Sequence, residues 1–148
     1  MSLTWHLIEL LGPDAPIGHG SALTIVQHAS NYILKMTTKV QSESIKSFVP
    51  LEAAVDDFGE HIDAFMPRTA WAANCRSWFK NGKAVGPVTA LHPESRIRWF
   101  HMLEQPRFED YEWQHLTKNR FQYFGNGFST KEGQGEDDTW YLNNPDIL

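Results

Sequence analysis

Ser21-Ala22-Leu23-Thr24-Ile25-Val26-Gln27-His28-Ala29-Ser30-Asn31-Tyr32-Ile33-Leu34-Lys35-Met36 is the stretch on which the fold turns. Its apolar positions Ile25, Val26, Ala29, Tyr32, Ile33, Met36 and, further on, Val40 recur three and four apart. That is the period of a helix with one buried face. Ser21 supplies an N-cap hydroxyl, and Lys35 and Lys39 fall toward the end that the helix dipole makes negative. The spacing predicts a long helix over 21–41. Upstream, Asp14-Ala15-Pro16-Ile17-Gly18-His19-Gly20 is a loop full of chain breakers. Before it, Leu7-Ile8-Glu9-Leu10-Leu11, stopped by Gly12-Pro13, reads as a strand.

Downstream, Val55, Phe58, Ile62 and Phe65 share one face of a second helix over 52–66, ended by Pro67. Residues 47–51 are at most extended. Asn81-Gly82 sits between 75–80 and 85–91, a strong signal for a hairpin. Pro93 and Ser95, followed by Ile97, Phe100 and Leu103, predict a short helix. The ring-rich stretch 107–116, with Phe108, Tyr111 and Trp113, reads as helical. Residues 121–128 close the packed part, and 130–138 are polar and read as mobile. The expected fold class is α+β: a long N-terminal helix, a second helix, a small antiparallel hairpin and an aromatic-rich C-terminal part. Residues 1–129 form one domain and 130–148 a tail.

Composition agrees with a globular domain. The chain has 148 residues, 41% of them hydrophobic. A domain of that size buries about 68–70% of its unfolded surface and needs no staple. Thirteen Lys and Arg against eighteen Asp and Glu give −5, which argues against nucleic acid as a partner. The single Cys excludes a disulfide framework and Cys-rich metal sites. No stretch reaches the roughly 18 apolar residues of a membrane span, and the first residues lack a secretory pattern, so the expected location is cytoplasmic. The 13% aromatic content is unusual. So many rings imply a ring-lined core, a ring-lined pocket, or a face meant for a partner.

Each candidate site has a plain alternative. Gly18-His19-Gly20-Ser21-Ala22-Leu23 opens a helix but fails as a dinucleotide fingerprint, because Leu23 stands where a third small residue belongs. Two glycines ahead of a helix still let backbone approach a ligand; the alternative is an ordinary capped turn. The seven His are scattered, without the helical spacing of a metal pair, and no metal site is expected. His19 and His92 lie in loops and, with Asp14, are the acid–base candidates. Cys75, beside Arg76, reads as a buried strand residue ahead of an activated thiol. Trp71, Trp78, Phe79, Trp99 and Phe100 read as core or as the wall of an apolar pocket.

Several segments together resemble the C-terminal end of Baeyer–Villiger-type flavin monooxygenases, the fungal enzymes of polyketide and terpenoid metabolism in particular. They are Leu11-Gly12-Pro13-Asp14-Ala15-Pro16-Ile17-Gly18-His19-Gly20-Ser21, with Asn31-Tyr32-Ile33-Leu34-Lys35 after it; Trp71-Ala72-Ala73-Asn74-Cys75-Arg76-Ser77-Trp78-Phe79-Lys80-Asn81-Gly82; Val88-Thr89-Ala90-Leu91-His92-Pro93; and Phe121-Gln122-Tyr123-Phe124-Gly125-Asn126-Gly127-Phe128. The resemblance implies an FAD- and NADPH-using family, with Gly12, Pro13, His19, Gly20 and Ser21 near the flavin and Trp71 and Trp78 near a hydrophobic substrate. The family's two Gly-rich dinucleotide fingerprints are absent from this sequence. The chain alone is therefore expected to bind neither FAD nor NADPH tightly.

Three functions remain open at this stage. One is an incomplete or split monooxygenase whose partner chain carries the cofactor-binding regions. Another is a cofactor-free cyclase, isomerase or dehydratase that uses a pocket between loop 12–21 and Trp71–Trp78. The third is a non-catalytic subunit whose exposed rings bind itself or a partner.

Overall fold

The computed structural model describes residues 10–143 apart from positions 11, 13, 19 and 138. The strand expected over 7–11 falls, Leu10 excepted, outside the described residues, as do Pro13 and His19. Helix α1 runs Ala22–Ser42, and the Ser21 hydroxyl caps it by accepting from the Leu23 N–H at 3.3 Å. Ile25, Ala29 and Met36 are buried, with Val26, Tyr32, Ile33 and Val40 half-buried around them. The stripe picked out by the spacing is the one that faces the body.

Strand β1, Ile45–Pro50, pairs antiparallel with β2, Tyr111–His115, setting Phe48 opposite Trp113 and Pro50 opposite Tyr111. The helix expected over 107–116 is thus a short 3-10 turn at Phe108–Asp110 leading into a strand. The physical reason is period. Tyr111, Trp113 and His115 alternate half-buried with exposed Glu112 and Gln114, a two-residue repeat in side chains that suit a pleated surface. Phe48 meets the Tyr111 and Trp113 rings at 5.7 and 5.2 Å. The Tyr111 and Tyr32 hydroxyls lie 2.8 Å apart and tie α1 to the sheet. Burial, reinforced by the Tyr111 hydroxyl, pushes the Tyr32 phenol well above the ordinary tyrosine range.

The antiparallel element is therefore formed by distant strands, and the hairpin expected across Asn81-Gly82 does not form a ladder. Both residues adopt the left-handed conformation that the dipeptide suggested, with φ of 53° and 76°. They close a 3-10 turn at Trp78–Lys80, where the Asn81 N–H donates to the Trp78 carbonyl at 3.0 Å. A left-handed residue ends a helical turn as readily as it starts a hairpin. Gly86-Pro87 then interrupts the returning chain, and the Thr89 N–H reaches the Phe79 carbonyl at 3.0 Å without strand pairing around it. Cys75, expected to be buried in that hairpin, is exposed.

Helix α2 is Glu52–Phe65, and α3 is Arg96–Glu104, capped by the Ser95 hydroxyl as its sequence implied. His28 of α1 stacks on Phe100 of α3 at 3.8 Å. Ile62, Met66, Val88 and Leu91 form a buried cluster, with Ile17, Trp71 and Phe79 packed against it. Residues 121–128 do not join that packing: Phe121, Phe124 and Phe128 are exposed. The polar stretch beyond them carries a short helix, α4 at Thr130–Gln134, held by a reciprocal Ser129–Glu132 capping box.

Candidate functional site

The described residues of loop 12–21 are held at several points. The Ala15 N–H donates to the Gly12 carbonyl at 3.4 Å, and the Ala15 carbonyl accepts from the His92 N–H at 3.3 Å. Asp14, in the left-handed region at φ 59°, and His92 therefore belong to one locality. His19 lies outside the described residues. Gly18 sits against Trp71: a Cβ there would lie 2.9 Å from Trp71 Cζ2 and 3.7 Å from Leu91 Cδ1. Gly20, at φ 68°, faces Arg96, and a Cβ there would lie 1.6 Å from the guanidinium. Gly18 is thus required by close approach to a ring, and Gly20 first by its left-handed backbone, since the arginine end beside it can move. The neighbours that fill their space are a tryptophan and an arginine of this same chain.

Three rings lead outward from the loop. Trp71 meets Phe79 edge-on at 5.7 Å, and Phe79 meets Trp78 edge-on at 5.8 Å. Trp71 is half-buried against the core, whereas Trp78 is 63% exposed. The loop and Trp71 are therefore in direct contact, and Trp78 faces solvent. Trp71→Ala is expected to cost about 3 kcal/mol, by loss of a large packed ring. Trp78→Ala should change stability by no more than about 0.5 kcal/mol. Urea unfolding of the two variants checks the contrast.

Burial pushes the Asp14 carboxyl above the usual carboxylate range. Its folded form therefore favours the proton, and stability is lost as pH rises through that raised pKa. Asp14→Asn tolerates the left-handed backbone and carries no charge. It should raise the thermal midpoint at pH 7 and leave it unchanged near pH 3, where the unfolded Asp is protonated too. Thermal melts at the two pH values test this.

His92 is buried, with Nε2 3.9 Å from Glu94 Oε2. Glu94 also meets His61 Nε2 at 3.1 Å and Arg98 Nε at 3.7 Å. Lys80 is buried too, its ammonium donating to the Ala73 carbonyl. Sequence reading missed Glu94, Arg96 and Lys80. Only the Lys80 position carried a signal, as part of the tryptophan-rich segment. No group of His, Cys, Asp and Glu fit for a metal occurs among the described residues. An open groove of about 410 Å³ lies elsewhere, along the C-terminal half of α1, where Leu34, Lys35, Thr38, Lys39 and Phe108 line it. No described helix is long and apolar enough to cross a membrane.

No protein-family model and no solved structure matches the chain. Curated relatives do. The chain is 38% identical over 136 residues to the probable FAD-binding monooxygenase ltbD of Aspergillus luteorubrus, covering 91% of this chain and 28% of that protein. It is 32% identical over 130 residues to FAD-binding monooxygenase stcW of Emericella nidulans, covering 88% and 22%. It is 31% identical over 130 residues to FAD-binding monooxygenase moxY of Dothistroma septosporum, covering 88% and 21%. The chain spans about a quarter of the length of these relatives. Over nearly all of its own residues, and about a quarter of theirs, this chain is similar to these FAD-binding monooxygenases.

Proposed function

We propose that these residues are the counterpart of the C-terminal quarter of a Baeyer–Villiger-type monooxygenase that uses FAD and NADPH and acts on a hydrophobic polyketide or terpenoid metabolite. The observation that carries this reading is the 38% identity with the Aspergillus luteorubrus protein over 136 residues. The quoted segments, in family order, support the same reading.

In this reading the chain works joined to flavin-binding residues that its 148 residues do not include. The residues present do not make a dinucleotide site. The sequence has no Gly-rich phosphate fingerprint, and the close-approach faces of Gly18 and Gly20 are taken up by Trp71 and Arg96. What the chain contributes is the wall beside such a site. The capped start of α1 supplies one side of it, and the Trp71–Phe79–Trp78 row offers rings to an apolar substrate. Asp14 and His92 flank that wall as the acid–base candidates.

The test combines the purified chain with the flavin-loaded portion of the Aspergillus luteorubrus relative that lies outside the matched stretch. NADPH consumption with oxygen uptake should rise when a hydrophobic ketone is added, and the product should contain one more oxygen atom than the ketone. No rise over the flavin-loaded portion alone would overturn the reading.

A further inference from the structure

Helix α2 is held at both ends but packs its apolar stripe on the core at only one: at its start the Leu51 N–H donates to the Asp110 carbonyl at 2.8 Å. Ile62 in its last turn and Met66 just after it are buried, and His61 meets Glu94 at 3.1 Å. Toward its start, the same apolar stripe is open: Leu51 is 39%, Val55 56% and Phe58 38% exposed. Leu51, Val55, Phe58 and Ile62 follow the three-and-four spacing of one helix face, so the buried stripe continues into solvent. Gly59 lies beside it, in the middle of the helix, where glycine costs about 1 kcal/mol relative to alanine. Among the described residues, nothing outside its own helix backbone and chain neighbours lies within 4 Å of where its Cβ would be, so its small size serves no contact that the described residues make.

The other faces of α2 carry Glu52, Asp56, Asp57, Glu60 and Asp63, with no Lys or Arg between 52 and 65.

We propose that the Leu51–Val55–Phe58 stripe of α2 docks in an apolar groove rimmed by Lys and Arg on the flavin-binding portion of a monooxygenase of this family. The inference rests on the reading given under the proposed function. Charge selects this occupant. A second copy would bring five carboxylates toward five, within the roughly 8 Å over which charges act at physiological salt. A basic rim is attracted by the same carboxylates. Gly59 lets the wall of the groove come close beside the stripe, and the helix-in-groove geometry matches anchors spaced three and four apart.

The test measures binding of the full chain to the flavin-loaded portion of the Aspergillus luteorubrus relative, with FAD absorbance confirming that the portion is folded. Val55→Asp replaces an exposed side chain and should keep the wild-type thermal midpoint, whereas Phe58→Asp, at a ring only 38% exposed and stacked beside His61 at 6.4 Å, should lower it by a few degrees and still fold. Each should bind at least about tenfold more weakly, as expected for a charge placed in an apolar contact. Wild-type binding should also weaken several-fold as salt rises. Equal binding by wild type and both variants would overturn the α2 surface and leave the family reading standing. No binding by the wild type would overturn both. A self-dimer of the chain that either substitution dissolves would show that a second copy takes the stripe, and would overturn the choice of partner.

Discussion

Leu91→Ala is expected to lower the unfolding free energy by about 3 kcal/mol, because it removes a fully buried side chain and leaves a cavity. Leu91 is 2% exposed and packs with Ile62, Met66 and Val88. It also lies beneath the loop, 3.7 Å from where a Gly18 Cβ would be. Few of the described apolar residues are buried, so little surrounding packing offsets the loss. Marginal stability of about 5–15 kcal/mol is ordinary for a domain. The variant should therefore show a lower urea midpoint with an unchanged slope, and unfold several degrees earlier on heating. A midpoint equal to wild type would mean that the 62/66/88/91 cluster is not the core.

Gly20→Ala is expected to cost more than any exposed substitution in the loop, for two separable reasons. The left-handed backbone at φ 68° costs a residue with a Cβ about 1–2 kcal/mol. The new Cβ would also displace the Arg96 guanidinium, which sits 1.6 Å from that point. A flexible arginine end moves at modest cost, yet it gives up its position 5.7 Å from the Phe100 ring. In an Arg96→Ala background only the backbone cost remains. A double-mutant cycle should thus give Gly20→Ala a penalty of about 2–3 kcal/mol with Arg96 present and about 1–2 kcal/mol without it. Equal penalties in the two backgrounds would show that Arg96 does not pack on Gly20.

The parts of the fold that were legible are those specified by neighbours in sequence. α1 declared itself through Ile25, Ala29 and Met36 on one face and Ser21 at its start. Ser95 did the same for α3 through its own cap. The β1–β2 pair was not legible, because its strands are short and distant, and the ladder depends on Phe48 finding Tyr111 and Trp113 in the folded chain. Asn81-Gly82 showed its left-handed geometry but not its use, since what the turn joins depends on the segments around it. The site divides the same way. The glycines before α1 were visible as glycines, but what packs on them was not: Trp71 against Gly18 and, beside the left-handed Gly20, Arg96 from α3. Trp71 and Trp78 look alike in sequence and differ in burial, because only Trp71 reaches the core and Gly18. The similarity to FAD-binding monooxygenases was legible because it rests on motifs in order, which need no tertiary information.

Under the proposed function these residues complete a flavin enzyme without holding the flavin themselves. That reading is tested most directly by titrating FAD into the purified chain, alone and together with the flavin-binding portion of a relative, while following absorbance and fluorescence. With no phosphate cradle in the sequence, the chain alone should give no saturable change at micromolar FAD. The mixture should retain FAD through gel filtration, with the chain co-eluting. Micromolar or tighter binding of FAD by the chain alone would contradict the account.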